Sequence, residues 1–140
     1  IDYRTVNKVF FRTKSRKRLA LEADMLTNLE YFDRERVAFL YVPRSLMERI
    51  QATESDAEEL SSLGAQIQGV DCAVTFRELG EGEWKLSVRT GERVNATEVC
   101  RAMGGGGHAR AAGCTVKAGL SEVKRRCLAA IAANAADFEG

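Results

Sequence analysis

Val70-Asp71-Cys72-Ala73-Val74-Thr75-Phe76-Arg77, then Gly80-Glu81-Gly82, then Trp84-Lys85-Leu86-Ser87-Val88-Arg89 is the stretch that decides the fold class. On both sides of the glycine-bounded turn every second residue is apolar, the period of strands that bury one face. The spacing predicts a β-hairpin with strands near 70–79 and 83–90. Val70, Cys72, Val74, Phe76, Trp84, Leu86 and Val88 then face a core, while Lys85, Ser87 and Arg89 share the opposite face.

Outward from the hairpin, helical and strand signals mix without strict alternation. Val37–Val42 is an apolar run of strand length stopped by Pro43, the only proline, and Leu46, Met47 and Ile50 suggest a short helix. Ser55-x-x-Glu58 has the form of a capping box, opening a helix through Leu60 and Leu63 to Gly64. Further back, Ser15 reads as the N-cap of a helix to about Glu30, with Leu19, Ala23, Leu26 and Leu29 as its apolar stripe. Downstream, Asn95-x-x-Glu98 caps a helix with the stripe Ala96, Val99, Cys100 and Met103. Cys114–Val116 then reads as a short strand, and Leu120, Val123, Cys127 and Ile131 form the stripe of a last helix. The fold class is α/β (α+β): a mixed β-sheet containing the hairpin, with helices packed on its face.

At 140 residues, with 45% hydrophobic and 29% charged residues, the chain has the size and composition of one globular domain. Its longest apolar run, Cys127–Ala133, falls far short of the roughly 20 residues that span a bilayer, and no secretory signal opens it. The expectation is a cytoplasmic protein with no membrane partner. The chain begins at Ile1 rather than Met, which suggests a fragment of a longer protein. Twenty-one basic against 20 acidic residues exclude a generally basic nucleic-acid-coating protein. A local basic cluster, Arg12, Lys14, Arg16, Lys17 and Arg18, sits at the first helix entry, either as a solvated face or as an anion contact. Cys72, Cys100, Cys114 and Cys127 include no Cys-x-x-Cys pair and stand beside a single histidine, so zinc spacing is absent and buried, reduced thiols are expected.

Gly104-Gly105-Gly106-Gly107-His108-Ala109-Arg110-Ala111-Ala112-Gly113 is the segment composition does not explain. It joins a capped helix directly to a strand, which favours a structured loop over a flexible linker. Glycines let backbone N–H groups approach an anion, and His108-Ala109-Arg110-Ala111-Ala112 has the makings of a helical turn facing the same anion, so the ligand expected is a phosphate. The match to a dinucleotide fingerprint is trivial and follows a helix rather than a strand, and a Walker A sequence is absent. His108 could donate to a phosphate or stack on a base, or be merely structural.

The run Gly105–Gly113 resembles the signature of the DHH-associated domain, the carboxyl-terminal substrate-binding lobe of DHH phosphoesterases. Lys85-Leu86-Ser87-Val88-Arg89-Thr90 is similar to a Lys-x-Ser-x-Arg-Ser strand that precedes the glycine loop in that family, with Thr90 in place of the serine. The resemblance implies a domain over residues 1–140, residues 1–14 ending a connector from an amino-terminal DHH lobe. Within the family the chain looks most like nano-RNases, which also act on phosphoadenosine phosphate. RecJ-type exonucleases and cyclic-dinucleotide phosphodiesterases share the lobe.

The resemblance assigns substrate-binding roles to Ser87, Arg89, Gly104, Gly105, Gly106, Gly107 and His108, and no catalytic or metal-binding residue to this chain. It implies that two manganese ions belong to the missing DHH lobe, leaving this chain alone without hydrolytic activity. The partners it implies are a short single-stranded RNA or DNA, or another nucleotide phosphoester, and the DHH lobe itself. Glu54 to Ser62 departs from the family pattern. Phe10 and Phe11 are the expected members of an apolar patch where the other lobe docks. A second reading is a nucleic-acid-binding module without hydrolytic duty, as in the carboxyl-terminal domain of alanyl-tRNA synthetase. A third is a structural domain in which the glycines make a tight crossover and Arg89 an ordinary surface ion pair.

Overall fold

The computed structural model describes residues 14–135. Phe10, Phe11, Arg12 and nearly all of the expected connector lie outside that range. Among the described residues six strands form one sheet: β1 (Glu30–Phe32), β2 (Val37–Val42), β3 (Cys72–Gly80), β4 (Glu83–Thr90), β5 (Gly106–His108) and β6 (Ala111–Val116). Their spatial order is β1-β2-β3-β4-β6-β5, with β2 and β3 parallel and every other neighbouring pair antiparallel. Five helices surround it: α1 (Arg16–Thr27), α2 (Arg44–Ile50), α3 (Glu54–Glu58), α4 (Ala96–Arg101) and α5 (Leu120–Asn134), with a 3-10 turn at Gly64–Gln66. The fold is α+β with a mixed sheet. No helix among these residues is long and apolar enough to cross a membrane.

The hairpin alternation is realised as β3 and β4, with Val74 opposite Val88 and Phe76 opposite Leu86. Pairing starts at Cys72 rather than Val70, because Asp71 and Cys72 N–H groups bond back to the Arg36 carbonyl at the mouth of β2. Val37, Phe39, Cys72, Val74, Phe76, Leu86 and Val88 form one core with Val99 and Cys100 of α4 and Val123, Cys127 and Ile131 of α5. The Phe39 and Phe76 rings lie 4.7 Å apart at its centre. Burying each such ring contributes about 1.5–3 kcal/mol. On the other face, Ala38, Leu40 and Val42 meet Leu21 and Met25 of α1, Leu46 of α2 and Leu60.

All four cysteines are free thiols inside the first core. Burial pushes the Cys72 thiol up to about 12 and raises Cys127 well above its ordinary value. Tyr41 donates its hydroxyl to Glu30, and Lys124 Nζ reaches the same carboxylate oxygen at 2.8 Å, tying β1 and β2 to α5. These two donors, Lys124 first, hold the Glu30 carboxyl below its usual value.

Four local expectations need correction. Ser15 does cap α1, accepting from Arg18 N–H, but the expected stripe is inverted: Leu19 and Leu26 are 50% and 47% exposed while Leu21 and Met25 are fully buried. The buried residues are Leu21, Glu22 and Met25, and Leu29, just past the helix, packs partly buried on the same core as expected. Glu22, in the middle of this buried face, meets both Lys14 and Arg18 at 3.2 Å, so charge disguised it. The α3 capping box is Thr53 with Asp56, two residues earlier than expected, and the helix stops at Glu58 instead of running to Gly64. β1 was not expected; neither was β5, which with β6 makes a second hairpin turning at Ala109-Arg110 where a helical turn was expected. Glycine carries no side chain to signal a strand, and pairing with Ala111–Gly113 makes one.

Candidate functional site

Directly opposed residues of neighbouring strands project to the same side, so the registers define rows across the sheet. One row is Ala38, Ala73, Arg89, Ala111, His108; the next is Leu40, Thr75, Ser87, Gly113, Gly106; the third is Val42, Arg77, Lys85, Thr115. Each row begins apolar on β2 beneath α1 and α2; the first turns polar at β4 with Arg89, the other two already at β3 with Thr75 and Arg77. Helices α1 and α2 cover this face at β2 and β3, the segment from α3 to the 3-10 turn reaches over Lys85 and Arg89 on β4, and the face of β6 and β5 stays accessible.

Arg89 and His108 therefore flank Ala111 on the same open face, on strands about 10 Å apart by ordinary strand spacing. Between them the floor is Ala111 and Gly113. Gly106 opens upward too, for a Cβ placed on it would meet nothing within 4 Å. The result is a shallow groove with Arg89 and Ser87 along one wall and His108 along the other. Arg89 is oriented by Ser61 Oγ, which accepts from its Nη2 at 2.9 Å, and by the Val88 carbonyl at 3.3 Å. Ser61 carried no sequence signal. It gets there because Gly64 lies hard against the sheet, where a Cβ would be 2.6 Å from Ala73 Cβ and 2.7 Å from Leu40 Cδ1.

The other three expected glycines do different work. Gly104 and Gly105 donate their N–H groups to the Arg101 and Cys100 carbonyls at the end of α4, at 3.1 and 2.8 Å, so these two donors are not turned to a ligand. Gly105 also passes so close to β6 that a Cβ would sit 2.2 Å from the Gly113 carbonyl oxygen, and Gly107 is comparably tight against Ala112. The β5–β6 tip is fastened by the Ala96 N–H and Thr90 hydroxyl, both donating to the Ala109 carbonyl, and by Thr97 Oγ1 donating to the Gly107 carbonyl. His108 thus sits on a tethered strand.

Three cations line the β3–β4 part of the face, and the segment after α2 meets each of them: Arg77 with Glu54 at 3.5 Å, Lys85 with Glu58 at 3.8 Å, and Arg89 with Ser61. In the described part of the basic cluster Lys14 and Arg18 pair with Glu22 and Lys17 donates to the Gln51 carbonyl, while Arg16 is exposed at the start of α1. Among the described residues no three His, Cys, Asp or Glu side chains gather as a metal site.

A DHHA1 domain model matches residues 35–137 of the chain. No curated protein matches it. Among solved structures, an exopolyphosphatase-related protein from Bacteroides fragilis superposes with a TM-score of 0.83 at 20% identity, covering 95% of this chain and 39% of that one. A pGpG-specific phosphodiesterase from Vibrio cholerae gives 0.55 at 11% identity, over 84% of this chain and 38% of the other. The C-Ala domain of Aquifex aeolicus alanyl-tRNA synthetase gives 0.51 at 18% identity, over 68% and 89%. At these identities the likeness is one of fold. The chain spans about two-fifths of the length of the first two proteins.

Proposed function

The chain belongs to the DHHA1 domain family, and from that membership we propose that it is the substrate-binding lobe of a DHH-family phosphoesterase, gripping a nucleotide phosphate between Arg89 and His108. The observation that carries this reading is the row Arg89-Ala111-His108, which sets a guanidinium and an imidazole on either side of a small-residue floor. Ser61 pre-orients the guanidinium, whose remaining N–H donors suit a bidentate grip on phosphate oxygens. Ser87 adds a hydroxyl one row along, and the bare backbone at Gly113 and Gly106 leaves room for a ribose or base. His108, exposed on β5, can donate to the same phosphate or lie against the base.

In this reading the lobe works by position: it holds the ester and restricts its motion, while bond cleavage belongs to the DHH lobe. The two manganese ions would be held there and supply charge neutralisation and an activated water. The substrate class is a short oligoribonucleotide or 3′-phosphoadenosine 5′-phosphate. The test is turnover by the protein carrying both lobes, with manganese. Arg89→Ala and His108→Ala should each lower kcat/KM on a short oligoribonucleotide, about 10- to 100-fold for the arginine, with manganese affinity and Tm nearly unchanged. Wild-type kcat/KM in both variants would refute the reading.

A second reading, a nucleic-acid-binding module without hydrolytic duty, has the C-Ala likeness behind it. Transfer-RNA binding that survives Arg89→Ala, with no hydrolysis by the two-lobed protein, would favour it.

A further inference from the structure

Four residues along β4 from Arg89, about 13 Å away at the ordinary strand rise, Lys85 projects from the same face. The two cations are held apart, since Arg89 is tied to Ser61 and Lys85 to Glu58. Their restraints differ in kind. Arg89 has a neutral hydroxyl as partner and keeps its full charge for a ligand. Lys85 faces a carboxylate at 3.8 Å, with both side chains open to water at 39% and 63%. An exposed pair of that kind is weak and exchanges readily with another anion. Beyond Lys85, its row neighbour Arg77 borders a cleft of about 180 Å3 in which Arg44 and Arg77 stand among Glu48, Glu54 and Glu78, so the line of positive charge open to a ligand ends at Lys85.

We propose that Lys85 is a second anion subsite, that Glu58 is the carboxylate an incoming phosphate displaces from it, and that the face therefore takes a short single-stranded oligonucleotide in preference to a mononucleotide. The inference rests on the nucleotide reading of Arg89 and His108 and extends it. One phosphate occupies the Arg89–His108 groove. The chain then follows β4 past Ser87 to Lys85, and Glu58 swings out into solvent, where its exposure leaves little to lose. Glu58 acts as a competitor that penalises ligands too short to replace it. It is a specificity-determining residue of a segment that departs from the family pattern.

The experiment is equilibrium binding by the 140-residue chain of two probes, adenosine 5′-monophosphate and a 5′-phosphorylated adenylate trinucleotide, over a salt series. The expected result is tighter binding of the trinucleotide, with the ratio of the two affinities as the readout. Lys85→Ala should bring that ratio towards one and reduce the salt dependence of trinucleotide binding by about 0.7 in log–log slope, one released counterion on a single strand. Glu58→Gln should raise the ratio about 2- to 5-fold, the range of an exposed ion pair. A ratio unchanged by both variants, with Arg89→Ala abolishing monophosphate binding, would overturn the second subsite and leave the first intact. Monophosphate binding indifferent to Arg89→Ala would overturn the nucleotide reading and the second subsite with it.

Discussion

Replacing Gly105 by alanine and Gly106 by alanine should have opposite consequences, although the residues are neighbours in one glycine run. At Gly105 the new methyl would meet the Gly113 carbonyl oxygen at 2.2 Å, Cys114 Cβ at 2.5 Å and Cys114 Cα at 2.8 Å. All three belong to β6, which is paired on both edges, so no flexible side-chain end can yield. The methyl has to push β5 and the end of α4 off the sheet, breaking the Gly105 N–H bond to the Cys100 carbonyl. Overpacking of this kind costs about 1–3 kcal/mol and the lost hydrogen bond about 1 more. Together they amount to about 2–4 kcal/mol, a fall in Tm on the order of 6–16 °C for a domain of this size.

At Gly106 the methyl meets nothing, and an extended strand accepts alanine. Its Tm should stay within about 2 °C of wild type, or rise slightly, because alanine restricts the unfolded chain. The same methyl projects onto the open face beside Gly113, in the row of Ser87, so nucleotide affinity should fall while stability holds. Thermal unfolding followed by circular dichroism, with binding measured on the same samples, checks both halves. Equal destabilisation by the two substitutions would refute the β5–β6 register on which the groove is built.

Acid sensitivity should trace in part to Glu30. Its carboxyl is held below the usual 4.5 in the folded state, so its contribution to stability is complete above that value and lost as pH falls through the folded pKa. Glu30→Gln should therefore narrow the difference in urea midpoint between pH 7 and pH 3, and an unchanged difference would contradict the Lys124–Glu30–Tyr41 link. The four thiols, buried and in the case of Cys72 pushed up to about 12, should be unreactive towards a disulfide reagent at pH 8 until denaturant is added. Prompt labelling of a thiol in the native state would show that the α4–α5 face opens. Asn95→Ala removes the acceptor of the Glu98 N–H and should cost about 1 kcal/mol, read from the shift of the denaturant midpoint.

The parts legible in the sequence are those governed by short-range patterns. Two-residue alternation over Cys72–Phe76 and Trp84–Val88 defines strands because a pleated chain has no other way to segregate apolar side chains, and the same alternation is enough to put Ser87 and Arg89 on one face. Caps at Ser15 and Asn95 are readable because a single side chain satisfies the exposed N–H groups locally. The run from Gly104 to His108 is readable as a special segment, though not as a strand.

Long-range contact decided the rest. Whether α1 buries Leu19 and Leu26 or Leu21 and Met25 depends on which stripe finds the surface of Ala38, Leu40 and Val42, and the winning stripe hides its ion pair Arg18–Glu22 in a way periodicity cannot weigh. β1 and β5, three residues each, are strands only because a neighbour supplies their hydrogen bonds. The juxtaposition of Arg89 with His108 needs the β4–β6 and β6–β5 registers together, and that of Arg89 with Ser61 needs Gly64 pressed onto β3; neither is written in the spacing of those residues, because hydrogen bonds between distant segments, not the local chain, set both.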